Sequence, residues 1–181
     1  YSLKGWMAPV SVTADAYLQE GDNAYRDNSA KNAADGYVGS KWATPRDDNM
    51  HSVTIDYGVD KPIKYFWIEW SWNLPKSYDI FGKTASGNWE FILNSEQQSV
   101  GWATHTFDVN KTYRYIKLVT KGRIDKAEPI WLLEFKAFED VPNVYPKPAG
   151  TPVVDRTVNM LGNGNFADGL TGWGSENYDG A

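Results

Sequence analysis

The first residues to weigh are those able to hold, donate or abstract a proton. His51 and His105 lie far apart in the chain, and neither sits in a partner motif. His105 alternates within a run that reads as a strand, where a packed or solvated histidine is the plain expectation. Carboxylates are plentiful, but an adjacent pair such as Asp47-Asp48 marks a polar loop. Glycoside hydrolysis needs two carboxyls held across a cleft, one of them with a raised pKa, and no spacing here suggests that pair. G-x-S-x-G, H-E-x-x-H and G-x-x-x-x-G-K-[ST] are all missing from the chain. Gly162-Asn-Gly164 lacks the preceding strand and following helix that a dinucleotide-binding turn requires. There is no cysteine, which removes disulfides, thiol catalysis and Cys-bound zinc. The chemistry left is binding.

Two kinds of binding group remain. The first is the compact polar segment Asn32-Ala-Ala-Asp35-Gly36-Tyr37-Val-Gly-Ser40, where Gly36 permits a sharp turn. Hard cations such as calcium take six to eight oxygens, many of them backbone carbonyls, and such a turn can aim several carbonyls around one carboxylate. An Asp-Gly pair is also an ordinary turn, so the segment alone leaves both readings open. The second kind is aromatic. The 181 residues include 9 Trp, 11 Tyr and 7 Phe, 15% of the chain.

The charge balance narrows the partners. Lys and Arg number 18 against 23 Asp and Glu, a net charge of -5 without a basic run. That argues against nucleic acid and against an electrostatic hold on an anionic membrane. No stretch approaches the roughly 20 apolar residues that span a bilayer, and no charged-then-apolar leader pattern opens the chain at Tyr1. Membrane insertion is therefore not expected.

The elements that must carry these groups read as strands. Ser52–Tyr57, Ile63–Trp70, Ser77–Phe81, Trp89–Leu93, Ala103–Val109, Tyr113–Thr120 and Ile130–Phe138 are β-branched and aromatic runs bounded by Gly, Pro, Asn and Asp. No segment keeps a 3.6-residue apolar period beyond about two turns; Ser29–Ala34 is a candidate for one short helical turn. The expected class is all-β, two packed antiparallel sheets. Ile63–Trp70 carries bulk on both faces, Phe66, Ile68 and Trp70 on one and Tyr65 and Trp67 on the other, which predicts a central strand. The domain is expected to span 1–140. Residues 141–157, with Pro142, Pro146, Pro148 and Pro152, read as a stiff linker. Residues 158–181 are too few to bury a core of their own and read as the start of a second module or an extended tail.

Taken in order, Asn32–Trp42, Val53-Thr-Ile-Asp-Tyr-Gly58, Ile68-Glu-Trp70, Ser77–Phe81, Ser86–Trp89, Tyr113–Leu118 and Leu133-Glu-Phe135 resemble the discoidin family. These are also called coagulation factor 5/8 type C domains, or family 32 carbohydrate-binding modules. The resemblance covers about residues 8–139 and implies an eight-stranded antiparallel jelly-roll β-sandwich of galactose-binding type. It also implies one structural calcium ion, held by the carbonyls of Asn32 and Tyr37, the Asp35 carboxylate, Ser40, the Leu133 carbonyl and Glu134. Ser40 stands where relatives usually have Thr, keeping the hydroxyl.

Family sugar sites lie on loops at one end of the sandwich, where a ring stacks on a sugar's apolar face and polar groups bind its hydroxyls. The corresponding loops here offer Tyr25, Arg46, His51, Trp72, Asn73, Trp102 and Arg123. Trp42, Trp67, Trp70 and Trp89 match family positions that pack the core. Ser71–Pro75 has no Arg where galactose-binding members carry one, which argues against simple galactose. Asn159–Trp173 resembles the opening strand of carbohydrate-binding families 4, 9, 16 and 22. Together the two resemblances imply a non-catalytic glycan-binding module beside neighbouring domains in a modular bacterial protein, extracellular or at the cell surface. The alternative is a protein-interaction or spacer domain of a surface assembly. Lipid binding, which needs apolar loop tips and basic residues, fits the charge of -5 least.

Overall fold

The computed structural model describes residues 5–19 and 27–140. The proposed linker at 141–157 and the tail at 158–181 lie outside the described residues, as does Tyr25. Among the described residues seven strands form, β1 (Ser11–Ala14), β2 (Trp42–Ala43), β3 (His51–Trp70), β4 (Pro75–Lys83), β5 (Glu90–Glu96), β6 (Ala103–Arg123) and β7 (Trp131–Phe138), with one 3-10 turn at Ala30–Ala33. Every pairing is antiparallel, in the order β2-β7-β3-β6-β4-β5, with β1 added to β3. The expected all-β class and antiparallel jelly-roll sandwich are found.

Two pairs of expected strands are each continuous: Ser52–Tyr57 with Ile63–Trp70, and Ala103–Val109 with Tyr113–Thr120. The breaks read at Gly58–Pro62 and Asn110–Thr112 bend their strands without ending them. Gly58 has φ +83 and Asn110 φ +55, conformations that Gly and Asn reach at least cost. Between them the β3–β6 ladder slips register from Asp56↔Tyr115 to Lys61↔Tyr113 and resumes. The first half of β3 pairs with β1 and the far half of β6, and its second half pairs with β7 and the near half of β6. Each long strand thereby serves both layers.

A second register shift, between Ile63 and Tyr65, changes which residues face inward. Val53, Ile55, Tyr57 and Ile63 are buried before it, and Phe66, Ile68 and Trp70 after it. One inserted residue reverses the parity of a strand. β3 is central, as its two-sided bulk requires. Phe66, Ile68 and Trp70 fill the core, while Tyr65 and Trp67 are half-buried and Tyr65 meets Phe138 edge-on at 6.2 Å. Each such side chain fully buried contributes about 1.5–3 kcal/mol. Trp42 is also buried, its indole N–H donating to the Ala16 carbonyl at 3.0 Å.

Trp89 corrects the packing assignment. It is 37% exposed, because it enters β5 at the edge of the sheet and its ring lies on the outer face. Lys117 Nζ stands 4.1 Å above that ring. Among the described residues no helix is long and apolar enough to cross a membrane.

Candidate functional site

The bent strands bring distant residues to one end of the sandwich. His51 pairs with Thr120 and Pro75 with Arg123. Trp70 pairs with both Ala103 and Leu132, and the short connection Ser71–Leu74 joins Trp70 to Pro75. Loops 44–50, 71–74, 97–102 and 124–130 therefore converge. Ser71 N–H donates to the Trp131 carbonyl, Trp131 N–H to Asn73, and Gly101 N–H to the Trp72 carbonyl at 2.7 Å.

That last bond joins the two loops bearing the end's exposed tryptophans. Trp72 is 48% exposed and Trp102 70%, large apolar areas left in water on backbone that is itself tied down. Beside Trp102 runs a shallow groove of about 310 Å³, lined also by Val38, Glu69, Thr104 and Leu133 over the buried face of Trp70. A flat ring, a carboxylate and a hydroxyl around an open groove suit a ligand with one apolar face and a rim of hydroxyls. Glu69 and Thr104 escaped the sequence reading. The available signal was a charge and a hydroxyl at alternating positions of otherwise apolar strand ends.

Three predicted binding residues turn out to be anchors. Asn73 is fully buried. Its amide donates to the carbonyls of Asp125, Glu128 and Pro129, and its Oδ1 accepts from Asp125 N–H at 3.1 Å. No polar atom is left for a ligand. Arg123 is buried too, its guanidinium donating to Asp48 at 3.3 Å and to the carbonyl of Lys126 at 2.8 Å. His51 is held by two carboxylates, Nδ1 at 3.1 Å from Asp15 and Nε2 at 2.8 Å from Asp47, and is nearly buried. The Asn73 amide, both His51 ring nitrogens and the Nε and Nη1 of Arg123 are thus occupied in shaping the loops, as buried polar atoms usually are. Arg46 remains half-exposed at the rim, 3.7 Å from Glu128.

The second expected site lies alongside, where loop 34–41 meets β7. Tyr37 N–H donates to Asp35 Oδ1 at 2.8 Å, which curls the loop around its own carboxylate. Gly36, at φ +84, makes that curl possible. Ser40 Oγ lies 2.7 Å from Asp35 Oδ2 and 2.8 Å from the Tyr37 carbonyl. One hydroxyl proton can satisfy only one of those two acceptors. Asn32 pins the loop's base through its amide, donating to the carbonyls of Asp27 and Lys41.

Glu134 completes the picture from β7. It is fully buried, and neither carboxylate oxygen accepts a hydrogen bond of normal geometry; the Gly36 backbone N–H is the one donor near enough to favour its charge slightly. Burial pushes its pKa up to about 8, and the nearby Asp35 charge adds to the rise while Lys136 opposes it. Glu69 stands directly across the ladder. A buried carboxylate with so little hydrogen bonding is strongly disfavoured, so the oxygen-rich surroundings fit a hard cation. Among the described residues no three His, Asp or Glu side chains gather into a metal cluster. Any cation here would rest on two carboxylates, one hydroxyl and backbone carbonyls, the donor set that calcium accepts.

The molecule is thus an antiparallel β-sandwich with two exposed tryptophans on converging loops at one end. Its strand order and bent central strands define the jelly-roll class to which many small binding domains belong. The chain matches the F5/8 type C domain model over residues 11–134, and it belongs to that family.

Solved structures agree on the fold. A selenomethionine-labelled variant of chitosan-binding module 1 from a Paenibacillus sp. IK-5 chitosanase/glucanase is 20% identical at TM-score 0.62, covering 75% of this chain and 98% of that one. The family 32 module of Clostridium perfringens NanJ, solved with galactose, is 16% identical at TM-score 0.60, with coverage of 75% and 98%. The corresponding module of AlyQ, solved with 4,5-unsaturated mannuronic acid, is 18% identical at TM-score 0.59, again covering 75% and 98%. No curated protein matches the chain in sequence.

Proposed function

We propose that this domain is a non-catalytic carbohydrate-binding module that holds glycan on Trp72 and Trp102. The observation that carries this reading is the pair of exposed rings on two loops tied by the Gly101–Trp72 hydrogen bond. A sugar's apolar face stacks on such rings, and Glu69, Thr104 and Arg46 supply acceptors and donors for hydroxyls around them. The structural relatives are modules solved with sugars or taken from sugar-degrading enzymes, which supports the same use of the fold. The loop end's titratable groups favour binding over catalysis, since His51, Asp47 and Asp48 are held in structural pairs. A module with one shallow site binds weakly, and tethering beside other domains raises its avidity. That use suits an extracellular or cell-surface protein of bacterial type.

Calcium is the cofactor that the second site fits. Asp35, Ser40 and Glu134, with carbonyls of Asn32, Tyr37 and Leu133, would hold it. The ion would neutralise the buried Glu134 carboxylate and fasten loop 34–41 to β7, a structural contribution.

A glycan array followed by calorimetry tests the binding reading. Trp72→Ala and Trp102→Ala should each weaken any hit while leaving the fold intact. Silence across plant, algal and host glycans would sink the proposal and favour the interaction-domain alternative.

A further inference from the structure

The outer face formed by β4, the far half of β6 and the start of β5 carries a different constellation. Phe81 pairs across the ladder with Lys117, and Lys83 with Tyr115. Their alternation with buried Ile80, Ile116 and Leu118 puts all four on the solvent side. Trp89 and Phe91 extend the row, Phe91 meeting Phe81 edge-on at 5.8 Å and Trp89 meeting Tyr115 at 6.4 Å. Lys117 Nζ lies 4.1 Å and Lys83 Nζ 5.5 Å from the centre of the Trp89 ring. Lys83 also lies 4.9 Å from that of Tyr115.

The charges around this platform are sorted in a telling way. Asp56 is taken by Arg114, Asp79 by Lys121, and Glu90 accepts from the Tyr113 hydroxyl. Among the described residues no carboxylate forms an ion pair with Lys83 or Lys117. Two uncompensated cations therefore share one tryptophan in a chain whose net charge is -5. Because both approach the same ring, they stand within about 10 Å of each other. Each ammonium is held only by a ring face, an interaction weak enough at an exposed site to yield to a real anion.

We propose that this face is a second binding site, for an acidic polysaccharide whose carboxylate or sulfate groups meet Lys83 and Lys117 while its rings lie on Trp89 and Phe91. The site is separate from the loop end and does not depend on the reading given to Trp72 and Trp102. Charge density selects the occupant. A nucleic acid presents one charge per about 1.7 Å of duplex, which two lysines on an acidic domain cannot balance. A glycan with one charge per sugar can be matched by two ammonium groups, and its apolar ring faces use the aromatic row that a simple anion would ignore. Lysine contributes a point charge without demanding fork geometry, which suits a chain able to slide along the face.

The test uses the whole chain and four probes, an oligogalacturonate, the same oligosaccharide with its carboxyls reduced, a sulfated oligosaccharide and duplex DNA. Calorimetry at low salt should detect a charged oligosaccharide and not the reduced one, with affinity falling as salt rises. Lys83→Ala with Lys117→Ala should lower that affinity by about tenfold or more, and Lys83→Arg with Lys117→Arg should restore most of it. The same loss should appear in a Trp72→Ala, Trp102→Ala background, which isolates this face from the loop end. A carboxylate response without a sulfate response, or the reverse, names the anion within the proposal. The proposal is overturned if neither charged oligosaccharide binds, if the reduced probe binds equally well, if duplex DNA binds as tightly as the charged glycan, or if Trp72→Ala rather than the lysine pair abolishes binding.

Discussion

Asn73 and Asp125 hold each other reciprocally. The Asn73 side-chain amide donates to the Asp125 carbonyl while its Oδ1 accepts the Asp125 N–H, both at 3.1 Å. The same amide reaches the carbonyls of Glu128 and Pro129, so one side chain closes loop 124–130 against loop 71–74. Asn73→Ala would strand several buried backbone groups, each worth about 1–3 kcal/mol when unsatisfied. We expect a loss of about 3 kcal/mol, read as a lower urea midpoint at unchanged slope. An unchanged midpoint would return Asn73 to the list of ligand contacts.

Glu134 gives a pH prediction whose sign is fixed by its burial. Its pKa rises from the ordinary 4.5 to about 8, so the folded chain keeps a proton that the unfolded chain releases. In chelator, stability should be greatest below about pH 4.5 as far as this group is concerned, and should fall as pH climbs toward 8. The contribution is on the order of 5 kcal/mol at most. Calcium should remove that slope by binding the ionised form. Glu134→Gln should flatten the slope in chelator and also abolish stabilisation by calcium. Melting temperatures with and without metal at pH 5 and pH 8 decide it, and identical behaviour under all four conditions would reject the cation site.

Gly36 tests the loop that would hold the ion. At φ +84, a Cβ there would stand 2.8 Å from the Trp6 ring. Gly36→Ala should therefore cost about 1–3 kcal/mol from backbone strain and crowding together. Calcium affinity should fall in the same variant, since Asp35 and Tyr37 flank the turn.

Trp72 and Trp102 should separate binding from folding. Each ring is exposed, so truncation to Ala should change stability by less than about 0.5 kcal/mol. Glycan affinity should nevertheless drop about tenfold or more per ring, as expected for aromatic anchors. A variant that binds as well as the parent would exclude its ring from the site.

Much of this molecule was written in local pattern. Alternating β-branched and aromatic runs marked every major strand, and the two-sided bulk of Ile63–Trp70 marked the central one. These signals survive in sequence because a half-buried strand imposes a period of two on neighbouring residues. The ordered motifs from Asn32 to Phe135 likewise pointed to the family, which the domain match over residues 11–134 bears out.

What the tertiary structure alone decided is which side chains are free. Asn73, Arg123 and His51 have the right chemistry for sugar recognition, but their partners Asp125, Asp48, Asp15 and Asp47 come from other loops. Except for Asp47, no local period records those meetings, because they depend on how β3 and β6 bend at Gly58 and Asn110. The tryptophans divide for the same reason. Trp42 and Trp70 are buried, while Trp72, Trp89 and Trp102 face water. Residue type set how much apolar surface each ring carries. Only the long-range pairing of strands determined whether that surface meets the core or is left for a ligand.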